Sequence, residues 1–555
     1  MDVLEKLKWR YATKKFDKKR KLSEAKLHIL KEAFNLTATS FGLQTINMLV
    51  ITDNILRASL VEHSYHQKQV LEASHLLVIC IQDNIIDKNV SDYYNTIKNL
   101  RNTSESILKP YRESLMGMMD KMTIEERQNW SKNQAYIALG NLMTVCAIED
   151  IDACPMEGFL CSKYDDLLEL KEVNDVLDNG VLMRYGFDGM RKGHWKAKAL
   201  ESELQNTFQS KYVQLVSSGT AAVSVALASA GVGAGDEVIM PTFTFVASFE
   251  AIMMLGAIPI LVDIDDTLTL NPKAVQAAIT QKTKAVMVVQ MCGSMGNMDA
   301  LQVICNTHNI LLIEDACQAI GGTYKGKSLG SIGDLGCFSF DFVKTITCGE
   351  GGAVITNNKD YYINADHYSD HGHDHIGNDR GLETHPFIGY NFRISELHAA
   401  VGLAQVKRLP EFLAIQKKHY TILRDTLSGI PEVTFRTVPD GGEESCAFLN
   451  FFLPDLETSR SVIQGFKDQS VDVCWNYYDN NWHYIQKWHH LRDLKSLFPI
   501  SKEVKKGLEY LKTKDFKKSD HYIGRNISCL IKLSWTEAEV KERASKMAEI
   551  IKANI

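Results

Sequence analysis

One lysine stands inside the segment FSFDFVKTITCGEGG, which runs from Phe338 to Gly352. Lys344 follows an alternating apolar run and precedes a glycine cluster, where the chain can turn tightly. A lysine held among apolar residues loses hydration, so its neutral amine becomes more favourable and can act as a nucleophile. The segment therefore predicts a reactive amine beside a tight turn.

An acidic pair, Glu314 and Asp315, ends the apolar run ILLIEDACQAIG, and Gln318 follows about one helical turn later. Burying an unpaired carboxylate is costly, so an acid at the end of a buried strand needs a partner. A ligand, a structural cap and a salt bridge each stay open as that partner.

The segment VQLVSSGTAAVSVAL predicts a strand, a turn at residues 217–220 and then a helix. The N–H groups at the start of a helix can hold a phosphate, although Ser-Gly-Thr is equally typical of an ordinary helix cap. In DEVIMPTFTFVAS, two aromatic residues follow a predicted strand. We interpret Phe243 as a core residue, whereas Phe245 could either fill the core or cover a ligand.

These groups together fit pyridoxal phosphate (PLP). Lys344 would form a Schiff base with its aldehyde, and Asp315 would keep the pyridine nitrogen protonated, so that the ring withdraws electrons. The turn at 217–220 would take the phosphate, and an aromatic side chain would cover the ring. In open α/β sheets, ligands bind beyond the carboxyl ends of the strands, and each of these groups follows a predicted strand.

Three regions with different sequence patterns predict the helices and strands that hold these groups. From about 165 to 405, the short apolar runs VQLVSS, DEVIMP, IPILVDI, KAVMVVQ, ILLIEDA and GCFSFD alternate with helical or glycine-rich segments. That alternation predicts an α/β fold with a large, mostly parallel sheet covered on both faces. The region before it is mainly helical with two short strands, and the region after it predicts a smaller α+β domain. We expect domains at 1–162, 163–409 and 410–555.

Composition narrows the class of protein. The chain has 555 residues, is 45% hydrophobic and carries a formal net charge of -6, which gives no electrostatic case for a nucleic-acid or membrane partner. No apolar run reaches the ~18 residues that span a bilayer. The 12 cysteines include no C-x-x-C pair, and in a chain this long that usage fits reduced thiols. We therefore expect a cytoplasmic protein.

Five motifs in order, SSGTAA, PTFTFVAS, EDACQA, FSFDFVKTITCGEGG and GYNFRISELHAAVGLAQ, resemble the DegT/DnrJ/EryC1/StrS sugar aminotransferases. These are fold-type I PLP enzymes, with a large sheet domain and a small C-terminal α+β domain, and the resemblance covers about 165–555. It implies Lys344 and Asp315 as catalytic residues and a homodimer with shared active sites. It further implies that Thr220, Ala221 and Ser339 contact the phosphate, Phe245 the ring, Gln318 the phenolic oxygen, and Asn391 the phosphate of the neighbouring subunit's cofactor.

The chain departs from that family just before the lysine, where 341–343 read Asp-Phe-Val instead of His-Pro-Thr or similar. With MRYGFDGMRKGHWKA, this resembles a subgroup that makes 8-amino-3,8-dideoxy-manno-octulosonate, a modified Kdo sugar of lipopolysaccharide. That likeness implies an 8-oxo sugar acid as acceptor and glutamate as amino donor. Arg184, Arg191, Lys192 and Arg393 could meet carboxylates, although a solvated surface position is the default expectation for each.

The segment HYSDHGHDHIGNDRG is rich in histidine and aspartate. His371, His373, Asp374 and His375 could form a metal site or a polar loop that faces substrate. We predict the polar loop and no metal, because PLP-dependent transamination needs none.

The N-terminal region resembles the nitroreductase family of FMN enzymes through RYATKKFDKK, TATSFGLQTINMLVITD, SYHQKQVLEASHLLVIC and NQAYIALGNLMTVCAIEDIDACPMEGF. The resemblance implies an α+β domain in which FMN contacts Arg10, Lys14, Thr39, Ser40, Gln44, Gln67, Gln69, Glu157 and Gly158. On its own, a basic N-terminus would explain Arg10 and Lys14 equally well. The family continues past P-x-E-G-F with another strand and a basic phosphate-binding segment. Here aminotransferase sequence follows at once, so we expect a C-terminally truncated domain.

We therefore predict a PLP-dependent sugar aminotransferase behind a truncated nitroreductase-like domain. The alternatives are a nucleotide-sugar aminotransferase with another acceptor, a bifunctional enzyme whose flavin domain acts on the same sugar, a flavin oxidoreductase with a secondary PLP half, and a PLP-fold binding module. The last would lack Lys344 or Asp315, and this chain has both.

Overall fold

The computed structural model describes residues 2–82, 85, 87–164, 166–377, 380–497 and 499–555. The chain forms two compact units, Met1–Asp166 and Leu167–Ile555. The sequence places the first boundary at 162, and its further division at 409 stays a prediction.

The first unit is mainly helical. Its helices are α1 (Val3–Trp9), α2 (Glu24–Asn35), α3 (Asn54–Glu62), α4 (Gln69–Glu72), α5 (Asp87–Arg101), α6 (Glu105–Met119), α7 (Ile124–Ile148) and α8 (Cys161–Tyr164), and its strands are β1 (Ile46–Ile51) and β2 (Leu76–Ile81). The strands pair antiparallel, with Ile46 opposite Ile81. The longest helix, α7, begins with a capping box, in which Thr123 and Glu126 each bond the other's backbone N–H.

The second unit holds the larger set of elements. Its helices are α9 (Asp166–Asn179), α10 (Lys196–Phe208), α11 (Gly219–Ser229), α12 (Val246–Met254), α13 (Pro272–Ala278), α14 (Met298–His308), α15 (Lys359–Ser369), α16 (Glu396–Lys407), α17 (Leu409–Leu427), α18 (Leu456–Asp468), α19 (His489–Arg492), α20 (Lys502–Gly507), α21 (Lys517–Arg525) and α22 (Glu537–Ala553). Its strands are β3 (Tyr212–Val216), β4 (Glu237–Pro241), β5 (Ile258–Val262), β6 (Thr283–Val289), β7 (Leu311–Asp315), β8 (Thr323–Tyr324), β9 (Lys327–Ser328), β10 (Leu335–Ser339), β11 (Gly352–Thr356), β12 (Thr434–Phe435), β13 (Gly442–Glu443), β14 (Phe448–Phe452), β15 (Cys474–Trp475) and β16 (Asn526–Leu530).

A seven-stranded sheet, in the order β3-β11-β10-β7-β6-β4-β5, forms the centre of the second unit. Its pairs are parallel, as predicted, except that β11 runs antiparallel to both β10 and β3. Strand β6 shows why the strand sequences are apolar throughout. Ala285 and Met287 pack into one core cluster, and Val286 and Val288 into another, because successive side chains point to opposite faces.

A second, four-stranded antiparallel sheet follows the order β12-β14-β16-β15. Its apolar side chains pack with α17, α18 and α22 in a separate core cluster that includes Phe451, Val462 and Ile551. A small sheet of β13, β8 and β9 lies elsewhere in the same unit. Across the described ranges, no helix combines the length and the apolar character needed to cross a membrane.

Candidate active site

Sheet register brings the predicted groups to one edge of the large sheet. Ser339 at the end of β10 pairs with Gly352 at the start of β11, and Gly352 pairs with Val216 at the end of β3. Asp315 ends β7 and pairs with Val289 at the end of β6. The carboxyl ends of four parallel strands therefore meet where an open α/β sheet binds its ligand.

Two glycines allow the first turn of α11 to lie directly against these strand ends. A Cβ on Gly219 would lie 2.7 Å from the Cβ of Ser339 and 3.3 Å from Sγ of Cys317. A Cβ on Gly352 would lie 2.3 Å from the carbonyl oxygen of Ser218. The turn and the Ser339 hydroxyl therefore share one small polar surface at the start of a helix.

The turn at 217–220 caps helix α11, and part of it is still exposed. The side chain of Ser218 accepts the Ala221 N–H at 3.1 Å, so that N–H is engaged within the turn. Thr220 is exposed at the first turn of α11. The two interpretations of this motif are compatible, because a capped helix start still carries the positive end of the helix dipole.

Asp315 is 7% exposed and lies between neutral donors. Its carboxylate accepts the Ser248 hydroxyl at 2.8 Å and the Cys317 N–H at 3.2 Å. In the ranges that the structure describes, no lysine, arginine or histidine forms an ion pair with it. A buried carboxylate of this kind fits a protonated pyridine nitrogen, which would supply the missing positive charge.

The adjacent acid, Glu314, points to the opposite face of β7 and is structural. It accepts the Gln290 side-chain amide at 2.9 Å, and the N–H groups of Gly330 and Gly333 at 2.9 and 2.7 Å. Burial raises the pKa of the Glu314 carboxyl. Because successive side chains of a strand point to opposite faces, Glu314 holds a loop inside the protein and Asp315 faces the other side of the sheet.

Lys344 is half-buried in the turn between β10 and β11, where its N–H donates to the Asp341 carbonyl at 3.0 Å. Strand β10, which Lys344 follows, pairs in parallel with β7, and Cys337 lies opposite Asp315. Lys344 therefore follows the strand next to the one that Asp315 ends, at the same edge of the sheet. The catalytic roles of both residues stay predictions.

His483 belongs to this region and was missing from our sequence analysis. Burial, and then the charge of Lys344, lower its pKa to about 3. Its Nε2 lies 3.4 Å from Nε2 of Gln318, whose Oε1 accepts the Cys292 N–H at 3.0 Å. Its Nδ1 is buried and has no hydrogen-bond partner among the described residues. The aromatic run around it, NNWHYIQKW, was the available signal.

Aromatic rings surround that imidazole. The ring of Phe245 lies 5.5 Å from His483 and 5.9 Å from Trp482, on which it stacks. Phe243 is completely buried against Tyr477, with ring centroids 5.3 Å apart, so the prediction of a core residue is right. Phe245 is half-buried at the start of α12 and remains available to a ligand.

The histidine-rich segment is held by a buried acid. Asp370, which is 0% exposed, pairs with His375 at 2.9 Å, Arg380 at 3.0 Å and Arg393. Burial opposes its ionisation, but His375 and both arginines hold the pKa of Asp370 well below its usual range. Asp370 also forms a β-bridge with Asn391, which is exposed.

His375 and its neighbours are arranged as ion pairs. His375 bridges Asp366 at 2.7 Å and Asp370, and its ring stacks on Tyr185 at 4.0 Å. In the described part of the chain, no three side chains of His, Cys, Asp or Glu are grouped to hold a metal ion. The predicted segment includes residues 378 and 379, which lie outside that part.

Two arginines considered as carboxylate ligands are instead buried in ion pairs, which corrects both expectations for them. Arg184 pairs with Glu201, and Arg191 lies 3.3 Å from Glu396. Arg191 also donates to the Met183 carbonyl at 2.5 Å. A buried arginine needs its acid inside the protein, so neither residue is solvated or open to a substrate.

The other two basic candidates have internal acceptors as well. Arg393 pairs with Asp370, and the Lys192 ammonium donates to the Asp178 carbonyl at 3.3 Å. Lys192 remains on the surface.

In the first unit, the segment from Arg10 to Lys14 runs beside the end of the predicted flavin motif. Ala12 forms a parallel bridge with Ala153, and Nζ of Lys14 lies 3.7 Å from Sγ of Cys154. Arg10 is half-buried and follows α1 directly.

The polar residues predicted to bind flavin make hydrogen bonds within the first unit in three places. Gln67 donates to the Gly158 carbonyl at 3.0 Å, and Gln69 lies 3.4 Å from Gln67. The Tyr136 hydroxyl donates to Glu157 at 2.9 Å. The Ser40 N–H donates to Gln134 at 2.9 Å, and Gln44 is exposed with φ +54°.

The DegT/DnrJ/EryC1/StrS aminotransferase family model matches residues 165–515, more than half of the chain. The chain belongs to this family. It is a PLP-dependent sugar aminotransferase, as the sequence motifs predicted, and the predicted fold class is confirmed. The nitroreductase family model matches residues 7–187, so an N-terminal nitroreductase domain precedes the aminotransferase and the two matches share 165–187.

Similar proteins extend this family assignment. A GDP-perosamine synthase of Escherichia coli O157:H7 is 36% identical over 266 residues, 48% of this chain and 70% of the relative. That of Vibrio cholerae is 31% identical over 340 residues, 60% of this chain and 87% of the relative. The crystal structure of 3-amino-5-hydroxybenzoic acid synthase is 27% identical, with a TM-score of 0.60, over 70% of this chain and 97% of that chain. An aminotransferase from Psychrobacter cryohalolentis is 25% identical, with a TM-score of 0.60, over 69% and 96%.

We predict that His483 stays neutral throughout the working pH range, because its pKa is lowered to about 3. Imidazole NMR of the full chain would show no titration of this ring above pH ~4. Replacing Lys344 by methionine removes a positive charge, so the pKa of His483 would rise in that variant. A wild-type ring that titrates near its ordinary value of 6.5 would contradict this assignment.

We also predict that His375 stabilises the fold in its charged form. Burial lowers its pKa, but hydrogen bonds to Asp366 and Asp370 outweigh that effect and raise it from 6.5 to about 9. The contribution is therefore complete below pH 6.5 and is lost as pH rises through 9. Solvent screening reduces it to about 1–2 kcal/mol.

The measurement is denaturant unfolding at pH 6 and pH 10 of wild type, His375→Gln and the exposed control His489→Gln. The difference in free energy of unfolding between the two pH values should shrink in His375→Gln and stay unchanged in His489→Gln. Equal pH dependence in all three proteins would refute the role of His375.

Proposed function

We propose that the chain transfers an amino group from glutamate to the carbonyl carbon of a sugar, with Lys344 as the group that carries the proton. One observation carries this proposal: Lys344 lies in the turn after β10, and β10 pairs in parallel with β7, which ends at Asp315. An amine and an acid from distant segments thus meet at one edge of the sheet.

PLP, when bound, supplies an aldehyde and a ring that withdraws electrons. Asp315 would meet its pyridine nitrogen, and Ser248 holds that carboxylate in place through its hydroxyl at 2.8 Å. Ser339 and the turn at Gly219 and Thr220 would take the phosphate, with the backbone N–H of Ala221 already committed to the cap.

Around that cofactor, each side chain has a distinct task. Phe245 and Trp482 would cover the ring and keep water away from it. Gln318 would reach the phenolic oxygen, steadied by the Cys292 N–H on its Oε1. Lys344 Nζ would take a proton from the donor's Cα and return one, which requires its neutral form.

For the acceptor, we propose a nucleotide-linked keto sugar. Two relatives are named GDP-perosamine synthase, which supports this class. The alternative acceptor is the 8-oxo sugar acid, whose product would be 8-amino-3,8-dideoxy-manno-octulosonate. The Asp-Phe-Val sequence at 341–343, which departs from the family pattern, favours this alternative. Burial of Arg184 and Arg191 in their own ion pairs removes two carboxylate ligands from that second acceptor.

We further propose a homodimer that shares its active sites. Asn391 is exposed. Its backbone forms a β-bridge with Asp370, and its side-chain oxygen accepts the Arg393 N–H at 3.2 Å. These two contacts fix the position of the segment. Such an amide is suited to a ligand outside its own subunit. The exposed apolar residues Phe387 and Ile388, shortly before it, are consistent with a surface that a second copy covers.

Replacing Lys344 by alanine tests the central role. We expect at least ~10³-fold loss of amino transfer, because the proton carrier is removed, and loss of the violet absorbance of the bound cofactor. The matched control is Lys325→Ala, since Lys325 is an exposed lysine paired with Asp299. Retention of turnover or of the absorbance band in Lys344→Ala would exclude this role.

The same assay separates the acceptors. Wild-type protein loaded with PLP and given glutamate should lose its violet band, and the band should return when the correct acceptor is added. A GDP-linked keto sugar and an 8-oxo sugar acid are offered in parallel. Recovery with the sugar acid alone would overturn the nucleotide-linked proposal, and an unchanged spectrum with glutamate would overturn the donor.

A second function, flavin binding by the first unit, is favoured by the contact between Gln67 and Gly158 and by Lys14 beside residue 154. We expect the full chain to take up FMN weakly, since the proposed truncation would remove the family's later phosphate-binding segment. Fluorescence titration of FMN should show about ten-fold weaker binding in Gln67→Ala than in the exposed control Lys132→Ala. No binding by the wild-type chain would exclude the bifunctional alternative.

A further inference from the structure

The small antiparallel sheet of the second unit places two thiols opposite each other. In the β15–β16 pair, Cys474 faces Cys529 and Trp475 faces Ser528. The Leu530 N–H donates to the Val473 carbonyl at 3.0 Å, so the backbone bond flanks the cysteines and does not join them. This is a non-hydrogen-bonded pair, the type in which Cα atoms lie about 4.5 Å apart and side chains are closest.

That register suits a covalent bond between the two sulfurs. Disulfides join residues with Cα atoms about 4.4–6.8 Å apart, and directly opposed side chains of one strand pair point to the same face. Sγ of Cys529 lies 3.8 Å from the carbonyl oxygen of Leu530, the residue next to it in β16. Both cysteines are free, so the bond can form without a change of backbone pairing.

The two cysteines of the pair differ in exposure. Cys474 is half-buried, so a reagent can reach it, whereas Cys529 is buried. Nη2 of Arg543 lies 4.0 Å from Sγ of Cys474. Cys529 and then burial raise the pKa of the Cys474 thiol well above its usual range, and the charge of Arg543 opposes them. The Cys474 thiol, and then Arg543, lower the pKa of Cys529 against the effect of burial.

Other cysteines of the same unit lack these features. Cys305 lies on helix α14, and Cys348 lies in the turn between β10 and β11. Neither therefore has a directly opposed cysteine across a strand pair. Reactivity should therefore concentrate on the β15–β16 pair.

We propose that Cys474 and Cys529 form a site of reversible disulfide modification by small-molecule disulfides such as oxidised glutathione. Cys474 loses its proton to solvent as its sulfur attacks one sulfur of that reagent, which releases one glutathione thiolate. Cys529 then loses its proton and attacks Sγ of Cys474, which releases the second glutathione. Two protein thiols are oxidised, one S–S bond forms between the strands, and one glutathione disulfide is reduced to two thiols.

The bond would act close to the active site. Strand β15 lies at the edge of its sheet and leads directly into the segment 476–483. That segment ends at His483, whose ring contacts Tyr477 at 4.7 Å. Tying the edge strand to β16 restrains this segment at its start, so the modification would alter the mobility of His483 and Trp482.

The test uses the full chain, loaded with PLP, in oxidised glutathione. After acid quenching and alkylation, two of the 12 thiols should be lost, and peptide mapping should find Cys474 joined to Cys529. Dithiothreitol should restore both thiols. The thermal midpoint should rise on oxidation in wild type, because the bond constrains the unfolded chain.

Cys474→Ser is the test variant, and Cys161→Ser, which removes an exposed cysteine, is the control. The rise in thermal midpoint should vanish in the first and persist in the second. Free alkylation of both cysteines in oxidised wild type, or glutathione attached to Cys474 with no crosslink, would overturn the proposal. Mapping of the wild-type chain decides the question even if Cys474→Ser folds poorly.

Discussion

The active site depends on a buried carboxylate that has only neutral protein donors around it. Asp315 is held by a hydroxyl and one backbone N–H, at the end of a strand whose neighbours are buried on both faces. A negative charge in such a place is costly until a cation joins it. A ligand with a protonated ring nitrogen would supply that cation, so cofactor binding and the electrostatics of the sheet edge would stabilise each other. The glycines at 219 and 352 let the first turn of α11 lie against the strand ends, within reach of the same proposed ligand.

Local patterns predicted six of the seven strands of the large sheet. The β-branched apolar runs specified the strands, and the polar residues directly after them marked the carboxyl ends. Strand β11 was missed because it begins with a glycine that also belongs to the turn after Lys344. Residues 340–351 form turns and bends and no helix, so the chain lacks the crossover helix that usually joins parallel strands, and β11 returns antiparallel to β10.

Contacts between segments far apart in the chain could not be predicted from the sequence. Ser248 meets Asp315, and His483 meets Gln318, across 67 and 165 positions of the chain. No spacing rule links such residues, because the fold alone decides which strand end faces which loop. Arg184 and Arg191 show the same limit for charged residues. From the sequence, each was expected to face solvent or a substrate carboxylate. Their actual partners, Glu201 and Glu396, lie on other elements of the fold. A basic residue can be assigned to a ligand only after its internal partners are known.

The electrostatics of the edge bear on how a sugar would be recognised. Neutral His483 and the amide of Gln318 line one side, and the exposed Trp482 extends the ring of Phe245 outward. The positive end of α11 would be engaged by the cofactor phosphate, and Arg184 and Arg191 are already paired with Glu201 and Glu396. Under the proposed function, recognition within this subunit would use hydrogen bonds and aromatic faces, which suit hydroxyl groups and the apolar faces of a sugar ring. Any charge on the acceptor would then be met by groups outside this set, such as those that a second copy of the chain would bring beside Asn391.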